Sequence, residues 1–210
     1  MIKLIEEARW ARLIFCSPVL AVIVLDELVG HLKRLANRSH QTPVILESSH
    51  PAIFLAGAHL AEIADLDERS CVAYATRGRK AIDQLRSHPS PTIAAVHGSC
   101  SGGGFDLVLG CDLIAAGPSA SFSHPGVRRG LVTGWGGTVD VPSALGRPMA
   151  TRALLQGRDL TVEELSVRGV VTPVTDPVSE AATEMASNLE ALHSGRLEAW
   201  RSLRVGHHPL

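Results

Sequence analysis

The chemistry-bearing part of this 210-residue sequence is a run of small residues, His97-Gly98-Ser99-Cys100-Ser101-Gly102-Gly103-Gly104, with a carboxylate just beyond it at Asp106. Three glycines in a row let a ligand approach bare backbone N–H groups with no Cβ in the way. At the start of a helix, those groups suit a phosphate or a carbonyl oxygen that is gaining negative charge. The run is not a dinucleotide fingerprint: Leu107 stands where G-x-G-x-x-G needs its last glycine, and no Walker lysine follows. A second small-residue turn, Ala56-Gly57-Ala58, lies within Ile53–Leu60 and leads into His59. Two such turns, each following a strand, can offer two backbone donors to one carbonyl oxygen, the minimum for an oxyanion hole.

The first turn has competing readings. Gly98-Ser99-Cys100-Ser101-Gly102 satisfies G-x-C-x-G, the cysteine form of a nucleophile elbow. Asp140 or Asp176, then His193 or His207, follow in the order that an α/β-hydrolase requires. The glycines also serve tight packing of a helix on a strand with no chemistry at all.

The elements that must position these groups follow from periodicity. Thr92–Val96 is a buried strand by composition, Phe105–Leu109 a helix and Cys111–Ala116 another strand, a βαβ unit that calls for a parallel sheet. Leu13–Phe15 and Pro43–Glu47 read as strands. Leu25, Leu28, Leu32 and Leu35 predict a helix over Val19–Leu35, and residues 66–87 form an amphipathic one. Helical patterns return at Ala150–Leu155, Val162–Arg168 and Val178–Leu203, the last broken at Ser194-Gly195. There is no internal repeat and no long linker, so the expectation is one α/β domain.

Composition narrows the function classes. Twenty basic against twenty-one acidic residues leave a net charge of −1, which gives no electrostatic basis for a nucleic-acid or anionic-membrane partner. A hydrophobic content of 45% excludes a disordered chain. Glu6 and Glu7 make a poor signal peptide, and the longest apolar run, Val19–Leu25, is too short to span a bilayer. The four cysteines show no C-x-x-C pair and no metal spacing. They predict reduced thiols in a cytoplasmic protein with no metal, Cys16 and Cys111 being buried small hydrophobes.

Taken in order, four segments make the sequence resemble the crotonase (enoyl-CoA hydratase/isomerase) superfamily. They are Phe54–Leu60; Pro91–Gly98 running into Gly102–Leu107; Cys111-Asp112; and Phe122–Pro125 continuing to Gly134–Thr138. Leu145-Gly146 through Gly169 also matches. The resemblance implies a crotonase-like ββα spiral core over residues 1–176, with a shortened C-terminal helical tail over 177–210. It implies an acyl thioester substrate, linked to CoA or to an acyl carrier protein, and no resident cofactor. It further implies a trimer-based homo-oligomer and enolate stabilisation by the Ala58 and Gly103 N–H groups.

The departures from the family pattern bear on the reaction. Hydratases of this family use an acid in G-G-G-x-E and a second in Q-P-E. Here the first is Asp106, and the second is absent because His124-Pro125 is followed by Gly126. Hydration needs an activated water and a protonated α-carbon, so one acid is a weak supply. Double-bond isomerisation or decarboxylation therefore fits better than hydration. His59 and His124 replace polar family residues near the expected pocket and stand as acid/base candidates beside Asp106. Gly102, Gly126, Gly134 and Trp135 are expected to line the pocket, with Trp135 narrowing the acyl site or packing at the surface. Asp112 reads as structural, and Arg128 and Arg129 as solvated charges or contacts to CoA phosphates. Two alternatives stay open: a non-catalytic binding or assembly protein on this fold, and the cysteine hydrolase.

Overall fold

The computed structural model describes residues 1–38, 42–190 and 200. The chain opens with an antiparallel hairpin of β1 (Ile2–Glu6) and β2 (Ala11–Phe15). Along β2, Ala11, Leu13 and Phe15 are buried while Arg12 and Ile14 are partly exposed, the period of two that a strand imposes. The same alternation turns Cys16 outward, so it is exposed rather than buried, and Cys111 is only half-buried. A two-residue strand, β3 (Val19–Leu20), precedes α1 (Val22–Ala36). The helix therefore begins three residues later than its leucine spacing predicts, because Val19 and Leu20 pair with another strand. Val24, Leu25, Leu28, Leu32 and Leu35 form its buried stripe.

Three successive units then repeat one pattern. The first comprises β4 (Val44–Ser48), β5 (Ile53–Leu55), β6 (Gly57–Ala58), α2 (Leu60–Ala64) and α3 (Glu68–Arg86). The second comprises β7 (Thr92–Val96), β8 (Ser99–Ser101) and α4 (Gly103–Val108). The third comprises β9 (Leu113–Ala116), β10 (Ser121–Ser123) and a 3-10 turn over Pro125–Arg129. In each unit the first strand joins a large sheet and the next crosses to a small one. The expected βαβ is present, since β7 and β9 pair in parallel with α4 between them, but it holds an extra strand: Ser99–Ser101, read as part of the glycine turn, is β8, and the helix starts at Gly103 rather than Phe105.

Four more helices and two short strands complete the described chain. They are α5 (Gly137–Leu145), α6 (Arg147–Gln156), β11 (Leu160–Thr161), α7 (Val162–Ser166), β12 (Thr172–Pro173) and α8 (Val178–Glu190). The large sheet runs β1-β2-β4-β7-β9-β12, parallel except for the hairpin. The small sheet runs β11-β10-β8-β5, and β3 pairs in parallel with β6. All five residues of β7 are buried, as befits a parallel strand covered on both faces. On one face Val44, Leu46, Ala94 and Val96 join the main core. On the other, Ile45, Ile93, Ala95 and Ala115 pack against Val178, Ala182 and Ala186 of α8. The helix break expected at Ser194-Gly195, and the remainder of that segment, lie outside the described residues. No helix among the described residues is long and apolar enough to cross a membrane.

Candidate active site

Strands β5, β8 and β10 lie in parallel next to one another, so the segments that leave their carboxyl ends emerge on one side of the small sheet. Those segments carry the residues that the sequence singles out. Ala58 and His59 follow β5; Gly102, Gly103 and Asp106 follow β8; His124 and Gly126 follow β10; Gly134 and Trp135 sit in the loop before α5. All nine line one cavity of about 840 Å³. Its remaining wall is mostly aliphatic, from α2, α3 and the loop at 131–132, with Tyr74 among them.

The two small-residue turns touch. Gly57 holds φ +91°, and a Cβ there would stand 2.8 Å from both Gly103 N and Ser101 O. The contact is fixed from several sides: Ser101 Oγ donates to Ala56 O (3.1 Å), Ala56 N to Pro18 O (2.7 Å) and Gly102 N to Ser123 O (2.8 Å). That last bond uses the Gly102 amide. Gly103 is the first residue of α4, and a first-turn N–H has no acceptor within its own helix. Because α4 runs only six residues, Gly103 acts as a single amide rather than as the end of a long dipole. Opposite, pairing of Leu20 with Ala58 sets the other turn on the cavity wall, and Glu62 accepts from Val22 N (3.0 Å), tying α2 to the start of α1.

Trp135 is a wall of this site and not a surface residue, being 3% exposed. Its indole lies against Gly103 and against Gly78 of α3, where any Cβ would overlap the rings, and 6.0 Å from the Tyr74 ring. Tyr74 has its hydroxyl pushed up to about 12, by burial first and by the Glu62 carboxylate second.

Asp106 has no exposed surface. The Thr133 hydroxyl donates to its Oδ2. Its Oδ1 lies 3.2 Å from His124 Nε2, off line for a hydrogen bond, so that both atoms lack a hydrogen-bond partner. Gly137 crowds the same oxygen closely enough that a Cβ there would overlap it. His124 is itself 5% exposed and tilts against Phe105, with ring centroids 5.5 Å apart. A buried carboxylate is costly unless it is paired and hydrogen-bonded, and here one oxygen is satisfied and the other is only approached.

His59 is the N-cap of α2, its Nδ1 accepting from Glu62 N at 3.3 Å. With that nitrogen as acceptor, the neutral ring carries its proton on Nε2 and can donate but not accept without breaking the cap. Cys100 sits mid-strand in β8 with its side chain in the core, and burial pushes its thiol well above the ordinary range, helped by Cys111 and Asp106. A nucleophile needs the thiolate and an open approach, so the elbow reading loses its geometry; His193 and His207, which that reading needed, lie outside the described residues. Asp112 accepts from Thr92 N and Oγ1, both at 2.8 Å, and so joins the start of β9 to β7. Arg128 donates to Gly157 O (3.1 Å), while Arg129 borders the cavity. Thr133 is a polar cavity residue that the sequence did not mark as part of the site, since its partner lies 27 positions away.

A model of the enoyl-CoA hydratase/isomerase family matches residues 19–204. The mitochondrial enoyl-CoA hydratase of Pongo abelii is 33% identical over 171 residues, 79% of this chain and 58% of that protein. The mitochondrial methylglutaconyl-CoA hydratase of Mus musculus is 32% identical over 137 residues, 65% of this chain and 44% of that one. The chain spans between a quarter and somewhat over half the length of the curated relatives it matches. In three dimensions it superposes on an enoyl-CoA hydratase of Mycobacterium smegmatis with a TM-score of 0.91 at 25% identity, covering 100% of this chain and 84% of that one. Family model, relatives and fold agree: the chain belongs to the enoyl-CoA hydratase/isomerase family of the crotonase superfamily.

Proposed function

We propose that the protein stabilises the enolate of an acyl thioester between the N–H groups of Ala58 and Gly103. We further propose that it shifts a double bond, or expels a substrate carboxylate as carbon dioxide, rather than adding water. The observation that carries this reading is that Asp106 is the one carboxylate among the described residues lining the cavity, with Gly126 on the same wall. Hydration asks for two groups, one to activate water and one to protonate the α-carbon. Isomerisation asks for one group that takes a proton and returns it. The contact between Gly57 and Gly103 supports two donors aimed at one oxygen, and the aliphatic wall suits an acyl chain. The carrier, CoA or an acyl carrier protein, a trimer-based assembly and a cytoplasmic setting belong to the proposal on family membership, with four free thiols in keeping with a reducing compartment.

The hydratase names of the relatives favour water addition, so the test sets the two against each other. Crotonyl-CoA, trans-3-hexenoyl-CoA and methylmalonyl-CoA are incubated with the protein and followed by mass spectrometry and ultraviolet absorbance. Conjugation of the 3-enoyl thioester without change of mass, or loss of carbon dioxide, is expected. Robust hydration of crotonyl-CoA abolished by Asp106→Asn overturns it. The complete burial of Asp106 also favours a second reading, a thioester-binding protein without turnover. Binding of all three thioesters with no conversion supports that one.

A further inference from the structure

Asp106 borders the cavity but offers a ligand no exposed atom. Its Oδ2 is taken by Thr133, and Oδ1 is enclosed by His124 and Gly137. Thr133 lines the same cavity and is tied to that carboxylate by its hydroxyl. It is half-buried, its methyl group turned to Gly137 and its hydroxyl to Asp106. The hydroxyl gives its single proton to the carboxylate, so its oxygen keeps lone pairs for other partners, one of them approached by Trp135 N at 3.5 Å. A hydroxyl that donates to a buried, otherwise under-paired carboxylate is polarised toward accepting a proton of its own.

We propose that Thr133 is the catalytic group that meets the reacting carbon, as the outer member of a Thr133–Asp106 proton relay. This rests on the enolate reading above. In the forward step the α-C–H bond breaks and its proton bonds to Thr133 Oγ1. The hydroxyl proton already there passes to Asp106 Oδ2, and the C–H electron pair becomes the enolate, its oxygen held by the two amides. Returning the protons along the same path to the γ-carbon completes a double-bond shift, with no co-reactant consumed. His124 lies 3.2 Å from the far carboxylate oxygen on the same cavity wall.

The test uses trans-3-hexenoyl-CoA in D2O and reads deuterium entering the α-carbon alongside conjugation. General acid–base catalysis is worth about 10²–10⁴ in rate, and a relay gives both partners the same share. Thr133→Val and Asp106→Asn should each lose about 10²–10⁴-fold in kcat with KM little changed. Thr133→Ser, which keeps the hydroxyl, should stay within about tenfold of the parent. Melting curves check folding, and if the valine variant does not fold, Thr133→Ala removes the same hydroxyl with less bulk. Exchange at the parent rate without the hydroxyl, while Asp106→Asn is inactive, overturns the relay and leaves the enolate reading standing. No exchange by the unmodified protein refutes the enolate reading, and the relay with it.

Discussion

Replacing Gly57 by alanine tests the contact on which the site depends, and Gly130→Ala supplies its control. Both glycines sit at positive φ, +91° and +71°. An L-residue there costs about 1–2 kcal/mol through its Cβ. At Gly130 nothing lies within 4 Å of the added methyl, so that backbone cost is the whole effect. At Gly57 the methyl would stand 2.8 Å from Gly103 N and Ser101 O, well inside the 3.4 Å at which ordinary contact begins. Both are main-chain atoms and cannot swing aside, so overpacking adds about 1–3 kcal/mol. The expected losses are about 2–5 kcal/mol for Gly57→Ala against about 1–2 kcal/mol for Gly130→Ala, measured by urea unfolding. At about 2–4 °C per kcal/mol for a chain of this size, the excess at Gly57 is about 2–12 °C in Tm. Relief of the overlap drives β6 from α4, and a misplacement of about 1 Å costs on the order of 10²-fold in a positioned reaction. Deuterium exchange into the thioester should fall by that factor for Gly57→Ala and hold for Gly130→Ala. Equal losses of stability would show that the two turns are not pressed together. A destabilised Gly57→Ala with undiminished exchange would show that the spacing of Ala58 and Gly103 is not what the reaction uses.

Two titrations follow from burial. Tyr74 is the only tyrosine, so phenolate absorbance reports it alone; the midpoint should lie at about 12 in the folded protein and near 10 in urea. Its folded value is the higher one, so its share of stability is intact below pH 10 and lost as pH rises from 10 through 12. A native midpoint near 10 contradicts the buried hydroxyl. For Cys100 the sign is the same, with stability declining as pH rises past the ordinary thiol value of 9.0. Iodoacetamide should label Cys16 and Cys71 in the native protein, as both are exposed, and Cys100 only on unfolding. Cys100→Ala should leave thioester chemistry in place; abolished turnover in a folded variant would restore the nucleophile-elbow reading.

Elements were legible in the sequence where burial imposes a period. Thr92–Val96 coincides with β7 because five apolar or β-branched residues between Pro91 and His97 suit only a covered strand. The leucine stripe located α1 but not its start, since pairing of Val19 and Leu20 with Gly57 and Ala58 overrides helical spacing. The spiral itself could not be read from periodicity, because β8 and β10 are three-residue strands with serines at both ends, Ser99-Cys100-Ser101 and Ser121-Phe122-Ser123. A strand that short carries no pattern. Only the ordered resemblance to the crotonases pointed to it.

The site shows a second limit, since a residue's type does not say how its atoms are committed. His59 stands where a base was expected, yet Nδ1 is engaged in capping α2. Asp106 has a suitable position in sequence and no surface in the fold. Thr133, a modest residue in a loop of glycines, owes its proposed role to the carboxylate that its hydroxyl meets. Gly103 shows why these facts are linked. Lacking a Cβ, it presents bare main chain to the cavity it lines, and the same absence makes the seat for the Trp135 indole, which Gly78 completes from α3. Trp135 in that seat anchors the loop that holds Thr133 over Asp106, with the Trp135 amide directed at the Thr133 hydroxyl. One missing side chain therefore serves both halves of the proposed chemistry: the amide that would hold the enolate oxygen and the loop that would move the proton.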